Sequence, residues 1–328
     1  FLLIFLPYTV FHEAISWMIQ GVLWISRQSY GMLTIGHVPF LWVLLFYFMT
    51  GLWIWKKNGQ NRHIRISLAY VIMIILIWIP MARRKSLAFL DVGQGDCFVA
   101  DTKSGAIIFD GGSSSEDQVG RYRILPYMKY LGYQKIQIAV ISHMDIDHYS
   151  GIKELLEMGK IKYLGLPEIP KDETMKKIIG IAKKRGTTIF YLSRGRQITT
   201  KDGSLKVLHP QKNSQMEKNA ASLVMQGKIL GYRVLLTGDV EKEGEEELLS
   251  EELERADILK AAHHGSKNST SNEFLQKVQP KQTVISCGKQ NRYGHPHLET
   301  IHRLQTYRTK IYRTDRSGAI IFFKRRDG

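Results

Sequence analysis

Two histidines and two aspartates fall within six positions, at His143, Asp145, Asp147 and His148. Imidazole nitrogens and carboxylate oxygens packed so closely form a site for a divalent cation. A polar surface loop is the plain alternative, but His-x-Asp-x-Asp-His leaves only two spacer positions, and neither is charged. The four follow Ile138-Ala139-Val140-Ile141, which reads as a buried strand, so the candidate ligands stand where that strand ends.

Other acids and histidines also follow apolar runs. Asp91-Val92-Gly93-Gln94-Gly95-Asp96 comes after residues 87–90, and Asp110-Gly111-Gly112 after residues 106–109. Glycines there let the backbone turn tightly and approach a ligand, although a hairpin turn explains each motif equally well. Val234-Leu235-Leu236-Thr237-Gly238-Asp239 repeats the order of strand then acid. Ile258-Leu259-Lys260-Ala261-Ala262 runs into His263-His264-Gly265-Ser266.

His143-x-Asp145-x-Asp147-His148 resembles the metal-binding signature of the metallo-β-lactamase superfamily, with Asp145 where many members carry a second histidine. The resemblance implies two divalent cations, and the extra oxygen donor shifts the preference toward manganese or magnesium without excluding zinc. His143 and Asp145 would hold one ion and Asp147 and His148 the other. Asp239 takes the place of the carboxylate between them, and one of the adjacent pair His263 and His264 completes the set, with His264 preferred as the ligand. Asp147, Asp239 and His263 are assigned direct parts in catalysis, His263 as a substrate contact. Asp110 matches the aspartate that braces the metal loop, and Asp96 is assigned the same supporting part. Many members carry one more histidine ligand before Asp239. The only histidine available is His209, with Asn219 or Ser222 as substitutes.

A two-metal centre lowers the pKa of water and so implies hydrolysis. Ser266, Lys267, His295 and His297 add hydroxyl, ammonium and imidazole donors suited to a phosphate oxygen. A helix cap near Ser269 and a surface loop around His295 and His297 are equally good readings of those stretches.

These residues need strands to carry them. Short apolar runs recur at 87–90, 106–109, 136–141, 188–192, 205–208, 232–236, 257–262, 283–286 and 319–323. Helical patterns fall at 175–184, 243–253, 272–278 and 298–306. The fold class expected is α/β, a metallo-β-lactamase-like αββα sandwich over residues 86–328, preceded by transmembrane helices.

Residues 1–85 read as a membrane segment. Residues 1–11 suggest the end of a truncated span, and the chain reads as a fragment of a longer one. Ile15, Met18, Ile19, Val22 and Leu23 share one helical face, which predicts an amphipathic helix. Residues 38–55 and 66–82 are uncharged and long enough to predict two transmembrane helices, with Trp42, Trp53, Trp55 and Trp78 toward their ends. The loop between them holds Lys56, Lys57, Arg62 and Arg65, which predicts a cytoplasmic loop and an extracellular hydrolase domain.

The 328 residues carry a formal charge of +16. The first 85 hold eight Lys or Arg and one acid, which leaves 38 against 29 in the remainder. Such an excess suits a polyanion better than a small neutral substrate, although charge runs are usually solvated surface. Cys97 and Cys287 form neither a metal pair nor a disulfide framework.

The spans, the ordered motifs and Gly294-His295-Pro296-His297 together resemble the carboxyl-terminal part of ComEC-type DNA-internalisation proteins of natural competence. That resemblance implies a multi-pass protein of the bacterial plasma membrane that takes in one DNA strand while a nuclease domain degrades the other. DNA, membrane lipid, the rest of the channel and the competence machinery are its implied partners, and the oligomeric state stays open. A catalytically inactive DNA-guiding module and a membrane-tethered hydrolase of small esters or phosphoesters are the alternatives.

Overall fold

Runs such as Val234-Leu235-Leu236 present no polar face, so a strand built from them has to be covered on both sides. The computed structural model, which describes residues 8–27, 34, 36–55, 67–68, 71, 84–216, 219–251 and 253–325, meets that demand with two seven-stranded sheets. The first runs in chain order through β1 (Ser86–Phe89), β2 (Phe98–Thr102), β3 (Gly105–Phe109), β4 (Ile136–Val140), β5 (Ile161–Pro167) and β6 (Thr188–Leu192). The second runs likewise through β7 (Gln197–Thr200), β8 (Gly203–His209), β9 (Val224–Ile229), β10 (Tyr232–Leu236), β11 (Ile258–Lys260), β12 (Gln282–Ile285) and β13 (Lys310–Arg313). A final strand, β14 (Ile320–Phe323), crosses back to pair with β1.

β3 to β6 pair in parallel, as do β10 to β13, and parallel neighbours need crossovers. Within Pro80–Gly328 these are α3 (Leu125–Tyr130), α4 (Ile146–Glu157), α5 (Glu173–Lys184), α6 (Lys242–Leu249), α7 (Asn272–Val278) and α8 (Leu298–Thr306). Period-two alternation then sorts the side chains. Leu87, Phe89, Ile107, Phe109 and Val140 meet Val207, Met225, Val234, Leu236, Ile258 and Val284 between the sheets. Ala88, Val99, Ile108 and Ala139 face Ile152, Leu155 and Ile178 on one outer side. Leu235, Leu259 and Ile285 face Phe274, Leu275 and Leu304 on the other. The result is the helix–sheet–sheet–helix sandwich expected from the sequence.

This layering places the carboxyl ends of β1, β3, β4, β10, β11 and β12 along one edge, where their turns interlock. The Leu223 amide donates to the Ser142 carbonyl (3.0 Å), and the Gly288 amide donates to Gln94 Oε1 (3.0 Å). The Asp96 amide donates to the Asp147 carbonyl (3.0 Å) and the Gly111 amide to the His148 carbonyl (2.8 Å). The early glycine-rich turns therefore clamp the His-Asp loop from one side. That contact is close enough to require glycine, since a Cβ at Gly112 would stand 2.5 Å from the Asp147 carbonyl carbon and the His148 amide.

The segment Phe1–Ile79 forms a separate unit. It holds α1 (Tyr8–Arg27), which contains the predicted amphipathic stretch, and α2 (Phe40–Trp55), within the first predicted span. α2 has 16 residues, and no helix among the described residues is both long and apolar enough to cross a membrane. The helix formed in this stretch covers residues 40–55 of the 38–55 expected to span. The second predicted span lies outside the described residues except for Ser67, Leu68 and Val71, and residues 1–7 lie outside them entirely.

Two glycine substitutions test this packing in opposite directions. Gly112→Ala should cost about 2 kcal/mol, the scale of overpacking a filled site, and lower the melting temperature by about 4–8 °C. Gly180→Ala, in α5 where an added Cβ meets nothing within 4 Å, should instead stabilise by about 0.5–1 kcal/mol. A Gly112→Ala chain that melts with the wild type would contradict the clamp.

Candidate metal centre

Ser142 and His143 follow β4, and α4 begins inside the motif at Ile146, so His148 stands in its first turn. A helix start holds the loop rigidly. His148 is fully buried, and its Nδ1 lies 2.9 Å from Asp110 Oδ2. Asp110, itself fully buried with a left-handed φ of 56°, also accepts from the Ser142 amide (2.7 Å) and hydroxyl (2.8 Å). A proton held at Nδ1 by that carboxylate turns Nε2 toward the cleft, where it can bind a cation once it gives up its own proton.

The same device recurs on the second sheet. His263 and His264 both adopt left-handed backbone, at φ 47° and 52°, in the sharp turn after β11. His264 Nδ1 donates to the Ser286 carbonyl (2.9 Å), which sends Nε2 inward. His263 Nδ1 pairs with Glu241 Oε1 (2.7 Å), and its ring is partly exposed.

The inward atoms converge. His148 Nε2 lies 3.1 Å from Asp239 Oδ2, and His264 Nε2 lies 3.4 Å from the same oxygen and 3.3 Å from Asp147 Oδ2. The buried Nε2 atoms of His143, His148 and His264 nevertheless have no hydrogen bond. Two ligands of one tetrahedral cation, at bonds near 2.1 Å, stand about 3.4 Å apart. The contacts of Asp239 with His148 and His264, and of Asp147 with His264, therefore already fall at the spacing of neighbouring ligands in a coordination shell.

Asp96, His148, Asp239 and His264 also each offer an atom such that all four lie within 4.8 Å of one another. Asp96, however, approaches the Nδ1 edges of the rings, 3.7 Å from His148 and 3.8 Å from His264. Its carboxylate pairs with the buried Lys260 ammonium, which also lies 3.4 Å from Asp239 Oδ1 and donates to the Gly238 carbonyl (2.9 Å). Asp96 thus meets the rings from their Nδ1 edges, whereas Asp147 meets the Nε2 of His264.

Charge follows from this crowding. Burial opposes the charge on His148, yet Asp239 and Asp110 outweigh it and raise its pKa well above 6.5. His264 is likewise opposed by burial but raised to about 10 by Asp239, Asp96 and the adjacent Asp147. Burial would raise Asp147, but the adjacent His264 and the charge of His148 hold it at about 2. Asp239 falls well below 3.8 against its burial, through His148, His264 and Lys260. Protons on the imidazoles thus balance the carboxylates in the metal-free chain, and a bound cation has to displace them.

The other predicted site residues divide. His143 Nδ1 contacts Ser142 Oγ (3.0 Å), and its Nε2 lies 3.7 Å from Asp145 Oδ2 at the more exposed side of the cleft. His209 does not turn toward the cluster. Its Nε2 donates to the Ala220 carbonyl (2.6 Å), and its Nδ1 faces Glu247 Oε2 (3.1 Å). Ser222 Oγ instead accepts from the Asp239 amide (3.3 Å) and steadies that acid. His295 packs its ring against His263 and His264, at 5.4 and 6.2 Å between centroids. Burial, then the charges of His264, His263 and His297, lower the His295 pKa to about 4. His297 Nδ1 accepts from the Lys267 amide (3.2 Å), and the Lys267 side chain is exposed. Ser266 is buried, and its hydroxyl accepts from the Asn268 amide (3.3 Å), so it shapes the turn rather than meeting a substrate.

Sequence reasoning passed over Lys260, Glu241 and Ser142. Lys260 left a signal, a lone ammonium in the apolar run of β11, and such a lysine is buried only when paired.

The profile of the Metallo-beta-lactamase superfamily matches residues 90–289. ComE operon protein 3 of Bacillus subtilis is 34% identical over 83% of this chain, and competence protein ComA of Neisseria gonorrhoeae is 30% identical over 73%. The alignments cover 38% and 32% of those proteins, so the chain spans about a third of the length of the curated relatives it matches. The solved metallo-beta-lactamase fold protein YhfI from Bacillus subtilis is 13% identical, with a TM-score of 0.49, over 72% of this chain and 99% of its own.

Two measurements test the centre. Asp110→Asn, which alters the group at His148 Nδ1, should weaken manganese or zinc binding by about 10- to 100-fold in calorimetry. In the metal-free chain, His264 is raised from 6.5 to about 10, so its contribution to stability is complete below pH 6.5 and lost as pH climbs through about 10. Asp147 is depressed from 3.8 to about 2, so its contribution is present above pH 3.8 and lost as pH falls through about 2. Thermal unfolding without metal should therefore show a plateau between pH 3.8 and 6.5 and a decline toward pH 10. A melting temperature that rises from pH 7 to 10 would contradict this charge assignment.

Proposed function

The chain belongs to the metallo-β-lactamase superfamily, and we propose that it is the carboxyl-terminal part of a DNA-uptake protein whose sandwich domain is a metal-dependent phosphodiesterase acting on DNA. The observation that carries the hydrolytic half is the set of buried imidazole Nε2 atoms without hydrogen bonds, held at coordination-shell distances from Asp147 and Asp239. The names of its relatives, a ComE operon protein and a competence protein, support DNA as substrate. So does the +16 charge, which favours a polyanion.

Divalent cations, when bound, supply Lewis acidity at phosphorus and activate water. Asp147, His148, Asp239 and His264 would hold one such ion, and His143 and Asp145 a second beside it. With His209 committed to Ala220 and Glu247, the second position has fewer protein ligands and is the more weakly held of the two. Asp110 and the Ser286 carbonyl keep protons on the far nitrogens of His148 and His264, so the near nitrogens remain free. Lys260 neutralises Asp96 and the outer oxygen of Asp239, which leaves Asp239 Oδ2 aimed into the cleft. His263 is the more exposed member of the adjacent histidine pair, and Glu241 orients it toward an entering substrate. The exposed Lys267 lies on the same rim and suits a phosphate oxygen.

Membrane attachment is part of the proposal and rests on α1 and α2. Trp17, Trp24, Phe40, Leu41 and Phe48 are each more than 60% exposed, a pattern that lipid or another part of a longer chain would cover.

The purified chain in detergent should degrade DNA with added manganese. Asp147→Ala or Asp239→Ala should lower the rate by more than about 100-fold, beyond the loss expected from an outer partner. Steeply salt-dependent DNA binding with no cleavage under any divalent ion would leave a guiding module instead. Turnover of a small phosphodiester without DNA affinity would remove the nucleic-acid substrate.

A further inference from the structure

Beyond the metal cluster, the turn between β12 and α8 carries a second set of rings toward the surface. Tyr293 is 42% exposed and lies nearly parallel to the His295 ring, at 22° and 5.7 Å between centroids. His295 in turn touches His263 and His264, so Tyr293 stands two ring contacts from the inward Nε2 of His264. The arrangement is built rather than loose. Asn291 donates to the Gly288 and His295 carbonyls (3.0 and 2.6 Å) and accepts from the His295 amide (3.0 Å), which closes the turn on itself. Gly288 packs so tightly on the 93–94 backbone that a Cβ would fall 2.7 Å from the Gln94 amide.

Arg292 lies against this ring, and further cationic and apolar groups are exposed on this turn and near the motif residues. The Arg292 guanidinium lies 4.8 Å from the Tyr293 centroid and donates to its hydroxyl (2.6 Å), and Lys289 is exposed on the same turn. Leu298 (77% exposed) follows His297, whose ring touches His295 at 4.9 Å, and Ile146 (53% exposed) sits within the His-Asp motif. A phosphate-only ligand has no use for exposed apolar and aromatic groups at the mouth of the site. A strand with unpaired bases uses both kinds, stacking bases on rings while cations meet its phosphates.

We propose that Tyr293, with Arg292, is a base-stacking subsite that selects single-stranded nucleic acid by seating an unpaired base beside the scissile phosphate. A base inside a duplex has both faces covered by its neighbours and cannot occupy the ring. The subsite rests on the reading of the metal centre as a phosphodiesterase. It adds that the form of substrate which reaches the centre is the single strand.

Binding and cleavage are measured separately. The full chain in detergent, stripped of metal with a chelator, is titrated with a short single-stranded DNA carrying a fluorescent adenine analogue whose emission falls on stacking. Quenching is expected for the wild type and for Tyr293→Phe. Tyr293→Ala should lose the quenching and bind about tenfold more weakly, the scale of one base–aromatic stack. With manganese restored, Tyr293→Ala should raise KM for single strands by a similar factor and leave kcat near the wild-type value. The same analogue inside a duplex should show no Tyr293-dependent quenching. Unchanged quenching or unchanged KM in Tyr293→Ala, in a chain that still cleaves DNA, overturns the subsite and leaves the nuclease standing. A wild-type chain that neither binds nor cleaves DNA overturns both.

Discussion

Four aspartates share one cleft, and each of them needs a counter-charge. Asp96, Asp110 and Asp239 are buried and Asp147 is nearly so, where an unpaired carboxylate would be very costly. Lys260 answers two of them, Asp96 and the outer oxygen of Asp239. Asp110 takes three hydrogen bonds from Ser142 and His148, and the imidazoles of His148 and His264 balance the rest. On the proposed reading, divalent cations would take over from the imidazole protons the balancing of these carboxylates.

That balance depends on joining the two halves of the sandwich. Asp110, His143, Asp147 and His148 hang from the first sheet, whereas Asp239, Lys260 and His264 hang from the second. The bonds from the Leu223 amide to the Ser142 carbonyl and from the Gly288 amide to Gln94 Oε1 cross the seam between them. The shared apolar layer holds the sheets at the separation this needs, since interiors are close-packed and transmit displacement. A change in the core is therefore a change in ligand spacing, even where no ligand is touched.

Much of the sandwich is legible in the chain because stretches of strand buried on both faces are apolar without interruption, as at residues 87–89 of β1 and 106–109 of β3. Strands that carry glycine or charge are not legible in this way. Phe98–Thr102 includes Asp101, Ile161–Pro167 includes Lys162 and Gly165, and Val224–Ile229 includes Gln226 and Gly227. Their polar atoms are answered by partners distant in sequence, such as Lys85 for Asp101 and the Glu254 carbonyl for Gln226. In the membrane-like segment, hydropathy alone predicts a span over 38–55, whereas the helix formed there, Phe40–Trp55, is shorter.

By itself, the sequence determined the kinds of ligand and the strand ends on which they stand, because motif composition and apolar runs are local properties. Tertiary structure alone decided how those ligands are used. Left-handed turns at His263 and His264 send one imidazole into the cleft and leave its neighbour toward the rim with Glu241. Glu247 and the Ala220 carbonyl draw His209 away, and Asp96 is met by a lysine from the opposite sheet. Each of these outcomes depends on which groups the folded sheets bring within hydrogen-bonding reach, and sequence spacing carries no record of that distance.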